Sequence, residues 1–150
     1  MSEISTEITI DAAPSKVREI FLDFASHKDW NPLLTSIEVY KGETSAPAGS
    51  QLKVQLEIPG KSPMVMYPTV LENSEQVLKW KGNVLFDSIF AGEHYFAYSP
   101  SEDGSKTKFV QGEKFSGITS RLFMAFFAKS TEEGFVSLNE ALKKKAEKSN

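Results

Sequence analysis

A chain of 150 residues, 40% hydrophobic and 25% charged, is sized and composed for a core of its own, so residues 1–150 read as a single domain. A formal net charge of −3, with no basic run before Lys143-Lys144-Lys145, lacks the clustered cationic face of a nucleic-acid binder. With no cysteine, disulfides, thiolate chemistry and cysteine-ligated metals are excluded; two distant histidines offer little for a transition-metal site, so neither metal nor cofactor is expected.

The opening MSEISTEITI has neither the basic nor the apolar region of a secretory signal. Ile4, Thr6, Ile8 and Ile10 alternate with Ser5, Glu7 and Thr9, which predicts a half-buried strand. APSKVREIFLDF follows, with Pro14 suited to a first helical position and Val17, Phe21 and Phe24 at helical spacing. SHKDWNP reads as one further short turn, ended by Pro32. His27 falls there and is expected to be exposed and without a role.

From residue 33 to about 117 the pattern is strands: LLTSIEVY, QLKVQLEI, MVMYPTVLE, VLKWKG, SIFAGEHYFAYS and TKFVQGEKFSG. Pro68 inside the third of these predicts a bulge or an edge position. The last thirty residues read as one long helix, with Phe123, Phe127, Leu138, Ala141 and Leu142 near one face and lysines at its end. Its run Leu122–Ala128 is the longest apolar stretch, far short of the ~20 residues of a membrane span. A cytoplasmic location follows as the expectation. Strand, two short helices, about six strands and a long helix make an α+β layout in which the last helix must pack on an antiparallel sheet.

Register arithmetic brings a polar cluster into the aromatic face of that sheet. If PSEDGSK and NVLFDS each close a hairpin, His94 falls about opposite both Glu113 and Trp80. Period-two alternation then puts Phe90, Gly92, His94, Phe96 and Tyr98 on one face, with Phe109, Gln111, Glu113 and Phe115 beside them. An inward carboxylate is costly unless paired or solvated, and a His94–Glu113 pair would satisfy both groups while drawing the histidine toward its charged form. Two readings stay open: a buried pair that fixes register, or a polar spot in a cavity. Ser130, Thr131 and Gly134 interrupt the large residues of the last helix. Either they leave cavity volume, or Gly134 marks a close helix–sheet contact. Gly92 reads as a point where the strand bends.

The segments IDAAPSKVREIFLDFASHKDWNP, LKWKG, GEHYF, EKFSG and TEEGFVSLNEALKKKAE, in this order, resemble the SRPBCC helix-grip superfamily of START lipid-transfer domains, polyketide cyclases and Bet v 1-like proteins, in a small single-domain microbial or fungal branch. The resemblance covers essentially the whole chain. It implies a seven-stranded antiparallel sheet curved around the C-terminal helix. It also implies a hydrophobic cavity between them, opening near the two short helices and the strand-connecting loops. Members bind lipids, sterols, polyketides or plant hormones; some are cyclases or dehydratases, and others activate chaperones. The ligand pattern of the Rieske-linked members is missing here, so no iron centre is implied.

Three function classes follow. The first is binding, or transport, of a small hydrophobic molecule, with Trp80, Phe90, Phe96, Phe115, Phe123 and Phe127 as apolar walls, His94, Gln111, Glu113 and Tyr98 orienting one polar end, and Gly134 leaving room. NVLFDSIF would border the entrance or form a buried hairpin end. The second is a polyketide cyclase or dehydratase, with His94 as general base and Glu113 orienting it. The third is an interaction module of the chaperone-activator type, which requires a filled core. The residues alone leave open whether any reaction is catalysed, and oligomeric state is not legible.

Overall fold

Alternation in the first ten residues produces β1 (Ser2–Ile10), which buries Ile4 and Ile10 and exposes Glu3, Ser5, Glu7 and Thr9 in the computed structural model, where residues 2–84 and 86–148 are described. Pro14 opens α1 (Pro14–Leu22), and Val17 and Phe21 are its buried residues. A single 3-10 turn (Phe24–Ser26) leads into the one-turn helix α2 (His27–Trp30).

Asn31 then turns the chain into the sheet. Its side-chain oxygen accepts from the amides of Leu33 (3.0 Å) and Leu34 (2.9 Å), while its amide nitrogen donates to His27 Nδ1 (3.0 Å). His27 Nε2 in turn donates to the Phe21 carbonyl at 2.6 Å. The histidine expected at the surface is therefore wholly buried, and desolvation lowers its pKa to about 4. The sequence hides this because the partners of His27 are backbone and amide groups without a pattern of their own.

The remaining strands are β2 (Leu34–Lys41), β3 (Gln51–Leu56), β4 (Met64–Met66), β5 (Thr69–Asn73), β6 (Val77–Val84), β7 (Phe90–Pro100) and β8 (Thr107–Ser116). They form one antiparallel sheet in the order β1-β8-β7-β6-β5-β3-β2, with β4 also paired to β3. Pro68, which has no amide hydrogen to give, separates β4 from β5, and both lie along the same edge of β3. Counted as one interrupted strand, they make the sheet seven-stranded.

The registers match the hairpin arithmetic: Trp80 lies opposite His94, and His94 opposite Glu113. The aromatic face is the inner one, with Trp80, Phe96, Phe109 and Phe115 all buried. Against it lies α3 (Ser120–Lys148), which packs on β1 and β8 and buries Thr131, Phe135, Leu138 and Leu142. Each fully buried Leu or Phe contributes about 1.5–3 kcal/mol, so this stripe is what holds the helix in the curve of the sheet.

Gly134 sits on the stripe for a steric reason. A Cβ there would come within 2.8 Å of Leu33 Cδ1 and 3.2 Å of Pro59 Cδ. The glycine serves close contact between α3 and the strand-connecting segments, which settles one of the two sequence readings.

Candidate functional site

The sheet and helix part company near the N-terminal half of α3. Gly117 starts this opening: its φ of +100° suits glycine, and a Cβ would meet the Ile89 carbonyl at 2.5 Å. The next two amides donate to the end of the β6–β7 hairpin, Ile118 to the Ser88 carbonyl (3.0 Å) and Thr119 to that of Ile89 (3.1 Å). The helix is thereby tied to the hairpin tip while its first turns stand clear of β3 and β4.

Two adjoining spaces fill the gap. An outer groove of about 640 Å³ is bordered by Lys61, Ile89, Leu122, Phe126 and Phe127. An inner chamber of about 130 Å³ is walled by Met66, Trp80, His94, Glu113, Thr131 and Phe135. Leu56, Ile58, Met64, Phe90 and Phe123 line both, so the groove and the chamber adjoin along this wall. The aromatic wall is continuous: Phe123 lies 4.7 Å from Phe115, 5.1 Å from Phe90 and 5.1 Å from Phe127, ring centre to ring centre.

Of the residues singled out from sequence, Trp80, Phe90, His94, Glu113, Phe115 and Phe123 border the chamber, and Phe127 borders the groove. Four stand behind the wall. Phe96 is wholly buried and stacks on His94 at 4.3 Å. Tyr98 is packed beside Phe109 with its hydroxyl unpaired among the described residues. Gln111 backs His94, and Gly134 faces Leu33. Period-two parity identifies the inner face but not which positions along it meet open space; that depends on where the helix diverges.

The wall also contains residues the sequence reading did not select: Leu56, Ile58, Met64 and Met66 from the opposite side of the sheet, and Thr131 and Phe135 from α3. The clean alternation of QLKVQLEI carried a signal for Leu56 and Ile58. The mouth lies at the β3–β4 connection, the β6–β7 tip and the start of α3. On the side of the two short helices, where the family resemblance would open the cavity, the buried His27–Asn31 seam closes the core instead. The hairpin tip is not buried: Phe86 is 71% exposed and Ile89 lines the groove, while Leu85 lies outside the described residues.

The polar end of the chamber departs from the expected ion pair. His94 Nδ1 stands 3.7 Å from Glu113 Oε1, beyond hydrogen-bond length. The partner of His94 is Gln111, whose Oε1 accepts from Nε2 at 2.9 Å. Gln111 donates its amide hydrogens to the Phe135 carbonyl (3.2 Å) and Asn139 Oδ1 (2.7 Å), and Asn139 donates to Thr6 Oγ1 (2.9 Å). Strands β1, β7, β8 and helix α3 are thus joined by one buried polar chain.

Burial also reverses the expected charge states. Desolvation lowers His94 to about 4 despite the Gln111 bond, and it pushes the Glu113 carboxyl up to about 8. Both shifts favour the neutral forms. Glu113 keeps 20% of its side-chain surface accessible, but that surface borders an apolar chamber rather than bulk water. Gly92 makes its position possible, since a Cβ there would overlap Glu113 Oε2. The glycine provides clearance for the carboxyl, beyond any role in bending the strand.

The family profile described as "Polyketide cyclase / dehydrase and lipid transport" matches residues 1–147. No curated protein matches the sequence. Among solved structures, the protein TTHA0849 from Thermus thermophilus superposes with a TM-score of 0.73 at 19% identity, covering 97% of both chains. The Zhui aromatase/cyclase from Streptomyces sp. R1128 gives 0.74 at 13%, covering 97% of this chain and 93% of its own. A START superfamily protein from Mycobacterium smegmatis gives 0.73 at 17%, covering 99% of each. At these identities the likeness shows the fold alone. Among the described residues no helix is long and apolar enough to cross a membrane.

Proposed function

We propose that this chain, which belongs to the family of polyketide cyclases/dehydrases and lipid-transport proteins, binds and carries a small hydrophobic molecule in its groove and chamber. The observation that carries the reading is an open apolar groove adjoining an inner chamber, the two sharing five apolar wall residues, with only a few polar groups in the chamber, His94, Glu113, Asn83 and Thr131 among them. Mostly apolar walls with a few placed polar atoms are what a binding site for such a molecule requires. A dry, filled core, as an interaction module of the chaperone-activator type would have, does not fit an inner space of about 130 Å³ beside the groove.

Turnover at His94 has weaker support. A general base works best with a pKa near the operating pH, and burial holds this imidazole near 4. Native mass spectrometry of the gently purified protein should show a bound apolar molecule. Ile58→Trp, which adds bulk where groove and chamber meet, should abolish that binding while leaving the fold intact. An Ile58→Trp protein that retains the molecule in full would reject the cavity as the site. Turnover of a polyketide-like substrate that is equal in wild type and His94→Ala would reject His94 as a base.

A further inference from the structure

We infer that the closed end of the chamber is built for the hydroxyl of a neutral, otherwise apolar molecule, and discriminates against a carboxylate. The inference rests on the binding role proposed above and specifies its ligand class.

The first observation is the tautomer of His94. Both amide hydrogens of Gln111 are committed, to the Phe135 carbonyl and Asn139 Oδ1, so the atom it presents to His94 is its oxygen. Asn139 is held in turn by its donation to Thr6 Oγ1. His94 Nε2 therefore carries the hydrogen, and Nδ1 presents a bare lone pair. In a neutral imidazole one nitrogen donates and the other accepts.

The second observation is what faces that lone pair. Glu113 Oε1 is 3.7 Å away, too far to bond directly yet close enough for one ligand oxygen to reach both groups. Among the described residues no cation or hydrogen-bond donor is fixed against Glu113, and desolvation favours its protonated form, which donates. Thr131, 2% exposed and lining the same chamber, has a hydroxyl with no partner among the described residues.

An acceptor at His94 and a donor at Glu113, 3.7 Å apart, together match an alcohol or phenol: its hydrogen goes to Nδ1, and its oxygen accepts from Glu113. A carboxylate brings a charge into the chamber and no hydrogen for Nδ1. Among the described residues no Lys or Arg lines the chamber to compensate; Lys61, on the groove wall, lies over the Phe127 ring at 4.9 Å. The chamber is small and the groove larger, so the hydroxyl end enters first and the apolar body fills the groove.

The test compares 2-naphthol, 2-naphthoate and naphthalene by isothermal titration calorimetry at pH 7. We expect 2-naphthol to bind at least about tenfold more tightly than either of the others, as two net hydrogen bonds would give. Glu113→Gln, whose amide still donates, should keep the preference. Glu113→Leu should lose it. Naphthalene or 2-naphthoate binding as tightly as 2-naphthol overturns the inference while leaving the cavity in place as a binding site. Loss of the preference in Glu113→Gln, with its circular dichroism unchanged, overturns the donor role of Glu113. If none of the three binds, the binding role falls and the hydroxyl preference falls with it.

Discussion

Replacing Glu113 by glutamine tests the charge state of the chamber without any ligand. The carboxyl titrates near 8 in the fold, against an ordinary 4.5. Between these values the unfolded chain has lost a proton that the folded chain keeps, so the proton difference, unfolded minus folded, is −1 and stability falls as pH rises, by about 1.4 kcal/mol per pH unit. His27 and His94 act in the opposite direction. Lowered from 6.5 to about 4, they contribute fully above 6.5 and lose that contribution as pH drops toward 4. Above pH 6.5 both are neutral in either state, which leaves Glu113. The interval from 6.5 to 8 then amounts to about 2 kcal/mol, or about 4–8 °C in Tm for a chain of this size. Scanning calorimetry at constant ionic strength should show the wild-type Tm highest near pH 6.5 and lower by that amount at pH 8. Glu113→Gln, which does not titrate, should hold a level Tm over the same range. A wild-type Tm that is level or rising there, or an equal decline in both proteins, would refute a neutral, desolvated Glu113.

Other perturbations probe the supports of the site. Below pH 6.5, Glu113→Gln should lose stability more steeply than wild type, because the two buried histidines then titrate without the opposing carboxyl; parallel acid limbs would contradict this. Asn31→Ala removes the acceptor for two buried amides and the partner of His27 Nδ1, and urea denaturation should show a loss of about 2–4 kcal/mol, whereas a loss below about 0.5 kcal/mol would mean the seam is not what closes that side. Gly92→Ala pushes a methyl into Glu113 Oε2, which should cost about 1–3 kcal/mol in denaturant and be relieved by Glu113→Ala in a double-mutant cycle. Additive effects of those two substitutions would show that the clearance does not matter.

The same residues show how far sequence reasoning reaches. The placement of Trp80, His94 and Glu113 in one row was legible because register follows from hairpin length, and parity follows from the period of two. The aromatic inner face was legible for the same reason. The partner of His94 was not. Gln111 and Glu113 lie on one face of the same strand, and the choice between them is made by side-chain conformations and by an anchor on α3, at Asn139, twenty-eight residues further along. Nor was the state of the pair legible, since a carboxyl beside a histidine reads as an ion pair until the depth of burial is known.

By itself the sequence determined the order of elements, the antiparallel registers, the buried face of α3 and the family, because these depend on local periodicity and turn chemistry along the chain. The tertiary structure decided what the face encloses. Where α3 leaves the sheet sets the groove and its mouth, the His27–Asn31 seam closes the other end, and Gly92 admits the Glu113 carboxyl. Those outcomes depend on fractions of an ångström between residues distant in sequence, and on the loss of water around two titratable groups. Neither quantity is a function of neighbours in the chain.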